Sequence, residues 1–195
     1  MIPGVIEMYD RDRAIEILTK HLETEYLVRH SYAVEAVMRS LGKKFDPERE
    51  NLWAITGLLH DLDADLVDYR AHPELHGPRA VEILREEGFG DEVMYHAIMA
   101  HNKSTKTPIK SPLDRAIYAA DPITGFINAI TLVYPDKKIE KVKVKSITKR
   151  MHETRFAAGA DREAMWSIEE LDMDFRDFAE LSLNAMKEIS GELGL

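Results

Sequence analysis

EYLVRHSYAVEAVMRSLG, residues 25–42, is the stretch whose periodicity decides the fold class. His30, Ala33, Val34, Val37 and Leu41 fall at i, i+3, i+4, i+7 and i+11, one stripe of an α-helix rather than the alternation of a half-buried strand. The stripe is apolar except at its first member, so His30 is turned inward with the core residues. The spacing predicts a helix from about Glu25 to Leu41, with Gly42 as its C′ stop.

The same period and punctuation recur along the chain. Ile15, Ile17, Leu18 and Leu22 predict a helix from about Asp10 to Leu22. Asp46 is a natural N-cap with Pro47 at the first helical position, ahead of a helix carrying Trp53, Ile55, Leu58, Leu59 and Leu62. Gly77-Pro78 opens a helix that Gly88 closes, and Asp91 caps the next, which reaches His101. Ser111 and Asp114 make a capping box with Pro112 in the first turn. That helix runs into Pro122, and the residue before a proline is pushed out of the α region, so a kink or break is expected at Asp121. KVKVKSI, residues 141–147, alternates like a strand but has no partner strand, and is read as helical. A further helix is expected from about Asp174 to Ile189. The expected fold is all-α, a single domain over residues 1–195 without repeats or long linkers.

Composition narrows the partners. There is no 18-residue apolar run, so no membrane-spanning helix is expected, and MIPGVIEMYDRDR at the N-terminus has neither a basic nor a long apolar leader region. A cytoplasmic location is the default expectation. The absence of cysteine excludes disulfides and thiolate metal sites. A net charge of −9 argues against binding a nucleic acid polymer. Lys137 to Arg155, however, holds eight Lys/Arg against two Glu, a local +6 on a remainder of −15. Such a run is ordinarily a solvated helix face, and its other use is contact with a small anion. A homo-oligomer is compatible with the sequence, which does not fix the oligomeric state.

The inward positions carry the chemistry. His30 joins His60 and Asp61, which follow Ile55, Leu58 and Leu59; His101, on the face of Met94, Ala97 and Ile98; and Asp121, four residues after Ile117. A lone inward histidine is ordinarily a hydrogen-bonded core residue. Here His30, His60, Asp61, His101 and Asp121 converge from four helices. Buried carboxylates are costly unless paired or bound to metal, and neutral imidazole with carboxylate suits zinc, iron, manganese or nickel. His96 rivals His101, because Val93, His96 and Ala100 also share a face. His72 competes with His76, while His21 and His152 read as surface or core-edge histidines.

His30, then His60-Asp61, then Asp121 resemble the H…HD…D signature of the HD-domain superfamily of metal-dependent phosphohydrolases. The histidines in PELHGPRA and AIMAHN resemble the added ligands of its two-metal branches, near the bacterial group with symmetrical dinucleoside tetraphosphate hydrolases. The likeness spans about residues 25–125, and about 130–195 look like a helical extension. The resemblance implies a first divalent ion at His30, His60, Asp61 and Asp121, and a second at His76 and His101, with Asp61 bridging and positioning the nucleophilic water. Two ions of iron, manganese, zinc or nickel are expected. Ala64 stands where related sequences place lysine, and no GYP motif follows His101, which weighs against cyclic di-GMP hydrolysis.

The substrate implied is a small nucleotide or other phosphate ester or anhydride. Arg79, one turn after His76, and Lys103, after AHN, are candidates for its phosphate; Lys145, Lys149 and Arg155 are candidates for a lid. Two other readings stay open: an HD-like two-iron oxygenase, and a nucleotide-binding helical module without turnover. Dependence on iron and oxygen separates the first, and binding without product the second.

Overall fold

The computed structural model describes residues 9–195; residues 1–8, read above for a leader segment, lie outside the described residues. The architecture is all-α, with ten helices and no strand among the described residues. α1 (Arg11–His21) starts at Asp10, whose carboxylate accepts the Arg13 N–H. α2 (Glu25–Phe45) then crosses the molecule and packs against α3 (Glu50–Leu59), α6 (Pro112–Val133) and α9 (Phe175–Glu188). α4 (Pro78–Glu86) and α5 (Glu92–His101) form the wall beyond α3. α7 (Val144–Met151), α8 (Arg162–Trp166) and α10 (Ser190–Leu193) complete the C-terminal part, and one apolar cluster runs from Ala14 to Leu193.

Gly42 does not stop α2, which continues to Phe45. Its role is proximity: a Cβ there would lie 3.0 Å from Trp53 Cβ and 3.2 Å from Glu50 Cα, so the bare backbone admits α3. Phe45 then stacks on Trp53, with centroids 6.3 Å apart, and Lys43 and Lys44 suit the helix C-terminus. Pro47 opens a 3-10 turn rather than α3 itself, and Leu62 lies in the turns beyond α3.

α6 also departs from expectation by running unbroken through Pro122. An interior proline costs about 3 kcal/mol. Burying Ile123, Phe126, Ile127 and Ile130 together outweighs that, since each large apolar side chain contributes roughly 1.5–3 kcal/mol. Thr124 Oγ1 also donates to the Asp121 carbonyl at 3.0 Å. Contrary to the sequence expectation, α6 is long and apolar enough to cross a membrane by composition alone. Its central position, touching α2, α5, α8 and α9, explains that apolarity without a bilayer. KVKVKSI forms no strand: Ile139–Lys141 is a 3-10 turn, and α7 begins at Val144 with Ile147 and Met151 buried.

The closest helix crossing, α2 on α3, depends on Gly57. A Cβ there would come within 2.9 Å of the Val34 carbonyl oxygen and of Met38 Cγ. Gly57→Val is expected to lower stability by about 1–3 kcal/mol through overpacking, measured as a fall in Tm and denaturant midpoint. An unchanged midpoint would show that this crossing relaxes freely.

Candidate metal centre

Four histidines and two aspartates meet where α2, the end of α3, the start of α4, the end of α5 and the middle of α6 converge. His60 and His101 arrive by the same local device. Each sits at a helix C-terminus, and its Nδ1–H donates to the carbonyl three residues earlier, Gly57 at 2.8 Å and Ile98 respectively. Carbonyls of the final turn lack helical donors, so the imidazole satisfies one while its Nε2 is aimed away from the helix. His30 Nδ1–H donates to Thr124 Oγ1 at 3.2 Å. His76 Nδ1–H donates to Asp63 Oδ1 at 2.7 Å.

Asp63, fully buried, serves two elements at once. Its Oδ2 accepts the Gly77 N–H at 2.8 Å and the Ala80 N–H at 3.1 Å, capping α4, where Gly77 has no side chain to do so. Gly77 adopts φ +95°, which glycine reaches without strain. Asp65, its neighbour on the same loop, accepts the Glu23 and Thr24 N–H groups at 2.8 and 2.9 Å and so ties the loop to the start of α2.

With every Nδ1 committed, the four Nε2 atoms face the carboxylates. Asp61 Oδ1 lies 3.2 Å from His60, 3.2 Å from His76 and 3.6 Å from His101, while Oδ2 lies 3.4 Å from His30. Asp121 Oδ1 is 3.0 Å from His30 and 3.8 Å from His60. The structure thus brings His30, His60, Asp61, His76, His101 and Asp121 together. His96 stands apart, 3.1 Å from Asp114 in the capping box of α6; His72 is exposed beside Glu74, and His21 meets Glu87.

The electrostatics follow from this packing. Burial disfavours charge on His60, but Asp61 and Asp121 outweigh it and hold its pKa up at about 9. Burial opposes the charged His76 too, yet its bonds to Asp61 and Asp63 raise it to about 10. Burial works against ionised Asp61 and Asp121, and the facing imidazoles keep both below the usual carboxylate range.

The donor set fits a divalent cation. His60 Nε2 is wholly buried without a hydrogen-bond partner. His76 Nε2 and His101 Nε2 lie 3.1 Å apart, although both rings have already placed their proton on Nδ1. Two lone pairs so close require a positive species between them, a proton or a metal. Three triads, His30–His60–Asp61, His60–His101–Asp121 and Asp61–His76–His101, each have ligand atoms within 4.8 Å of one another.

The cluster opens on a cavity of about 570 Å³. Tyr26, Tyr69 and Phe126 line it, and its roof is the 157–161 segment, which includes Gly159 and Asp161. Arg162 shapes the roof by donating to the carbonyls of Met151, Glu153, Phe156, Ala157 and Ala160. Among the described residues, no lysine or arginine lines the cavity. Arg79 is turned to Glu82 and Glu86, and Lys145, Lys149 and Arg155 face solvent. Lys103 pairs at 2.8 Å with Asp161, and Arg115 meets exposed Glu170. Sequence reasoning missed Thr124 and Arg162, and it offered Asp63, just after His60-Asp61, as a loop-ordering, capping or solvated acid without its partners.

Comparison of the chain with curated proteins and with solved structures returns no match. The model of the HD domain family matches residues 27–124, half of the chain and the part that contributes all six converging side chains. The chain belongs to the HD domain family, a superfamily of metal-dependent phosphohydrolases.

Proposed function

We propose that this protein hydrolyses a small nucleotide or another phosphate ester or anhydride, using water activated at a pair of divalent ions. The observation that carries this reading is the convergence of four Nε2 atoms on Asp61 and Asp121, with every Nδ1 already bonded. His30, His60, Asp61 and Asp121 would hold one ion, and His76 and His101 the other. Divalent ions there would bring the pKa of water toward neutrality and neutralise phosphate charge.

The chain's own residues divide the remaining work. Asp61 lies within 3.6 Å of the Nε2 atoms of all four histidines, Oδ2 at His30 and Oδ1 at the other three, so it is within reach of both ligand sets. Asp63 and the Gly57 and Ile98 carbonyls fix the imidazole tautomers. With no cation in the cavity wall, the substrate's anionic charge would be met by the metal ions rather than by side chains.

The deciding experiment is metal content by elemental mass spectrometry, followed by phosphate release from a nucleotide panel. About two ions per chain and metal-dependent phosphate release are expected. Zinc- or manganese-loaded protein that releases no phosphate from any phosphoester would overturn the reading.

Three outcomes follow. Asp61→Ala is expected to abolish metal retention and turnover together, whereas His152→Ala leaves both intact. Asp63→Asn keeps the fold but disturbs His76, and about 10- to 100-fold weaker metal affinity is expected by calorimetric titration. Because His60 and His76 carry protons at neutral pH and only neutral imidazole ligates, metal binding releases protons; a weakly buffered titration at about pH 7 should record them, with affinity rising toward about pH 9.

A further inference from the structure

A second cavity, of about 300 Å³, adjoins the metal cavity across a common wall of Tyr26, His30 and Gly125. Its far side is apolar, with Met186, Leu193 and Leu195 supplied by chain outside the family match. Its charged rim side chains, Glu25 and Arg29, are paired with each other. Gly194, at φ +68°, lets the C-terminal segment pass over that pair; a Cβ there would lie 2.7 Å from Arg29 Nη1.

Gly125 lies inside α6, where glycine is unfavourable relative to alanine. Neither close packing nor a positive φ requires it, because a Cβ there would meet nothing within 4 Å. Its structural effect is to leave open the space common to the two cavities. Asn128, on the same helix face, lines the second cavity, and its Oδ1 is buried without a hydrogen-bond partner among the described residues. Such an acceptor is unfavourable until a donor reaches it, and asparagine's broad χ2 well lets the amide turn toward one.

We infer that this second cavity binds the uncharged organic part of the substrate, a planar heterocycle bearing N–H donors, and that Gly125 is the specificity-determining residue that admits it. The assignment rests on the phosphohydrolase reading for the word substrate, but the binding site itself does not. Phosphate would lie at the cationless metal cavity, the ring beyond Gly125 against Met186 and Leu193, with Asn128 accepting from the ring.

Adenosine and uridine, which carry such rings without phosphate, are the probes, titrated calorimetrically into metal-loaded protein. Wild type is expected to bind at least one of them, and Gly125→Leu to bind it at least about tenfold more weakly. Metal content and Tm should not fall in this variant, because leucine is a strong helix former placed in open space. Asn128→Leu should also weaken binding. Failure of both nucleosides to bind wild type, or equal binding by Gly125→Leu, overturns the subsite whatever the phosphatase assays give. Gly125-dependent nucleoside binding by a protein that cleaves no phosphoester leaves the subsite standing and removes the hydrolase reading instead.

Discussion

A buried carboxylate, Asp61, facing the same imidazoles as the partly exposed Asp121, must be neutralised, and here that task organises five separate pieces of chain. Asp61 and Asp121 share His30, and His60 faces both. Isolated ions of this kind would be expelled from low dielectric or would take up protons. Instead α2, α3, α5 and α6 each deliver a compensating or a charged group, and the loop before α4 delivers His76. The bonds behind the ligands are as specific as the ligands themselves. A helix-end carbonyl, a threonine hydroxyl or a buried aspartate fixes each ring, so the donor atoms point at one volume before anything is bound there.

That arrangement explains what could be read in advance. Periodicity located α1, α2 and α5, and side-chain chemistry located the starts of α5 and α6, because caps act within four residues. His30, His60 and His101 were legible as inward positions for the same local reason. Gly42 misled because a glycine after an apolar stripe has two uses, stopping a helix or admitting a neighbour, and only Trp53 decides between them. Pro122 misled because the penalty is local whereas the compensation, burial on several sides of α6, is not. Asp63 was seen as a loop residue because its partners, His76, Gly77 and Ala80, come at least 13 residues later. The basic residues show the converse limit: spacing put Arg79 one turn from His76, but its guanidinium is turned to Glu82 and Glu86.

The two halves of the chain also divide their labour differently. Residues 27–124 carry every converging ligand. Later residues supply the roof, through Ala157 to Asp161, and the far wall of the second cavity, through Met186 to Leu195. The basic run between Lys137 and Arg155 lies on this second part, with Ile139, Val142, Ile147 and Met151 buried and Lys145, Lys149 and Arg155 outward.

The roof is held together chiefly by one guanidinium, which gathers five carbonyls from a span of only ten residues. Its conformation is set largely by these bonds, and it is tied to the rest of the cavity by the Lys103–Asp161 pair, by Phe156 edge-on to Phe126 and by the Arg162 guanidinium over the Phe126 ring. The cover is therefore seated on Phe126, five residues along α6 from Asp121, so a changed side chain in the cover bears on the helix that carries that carboxylate.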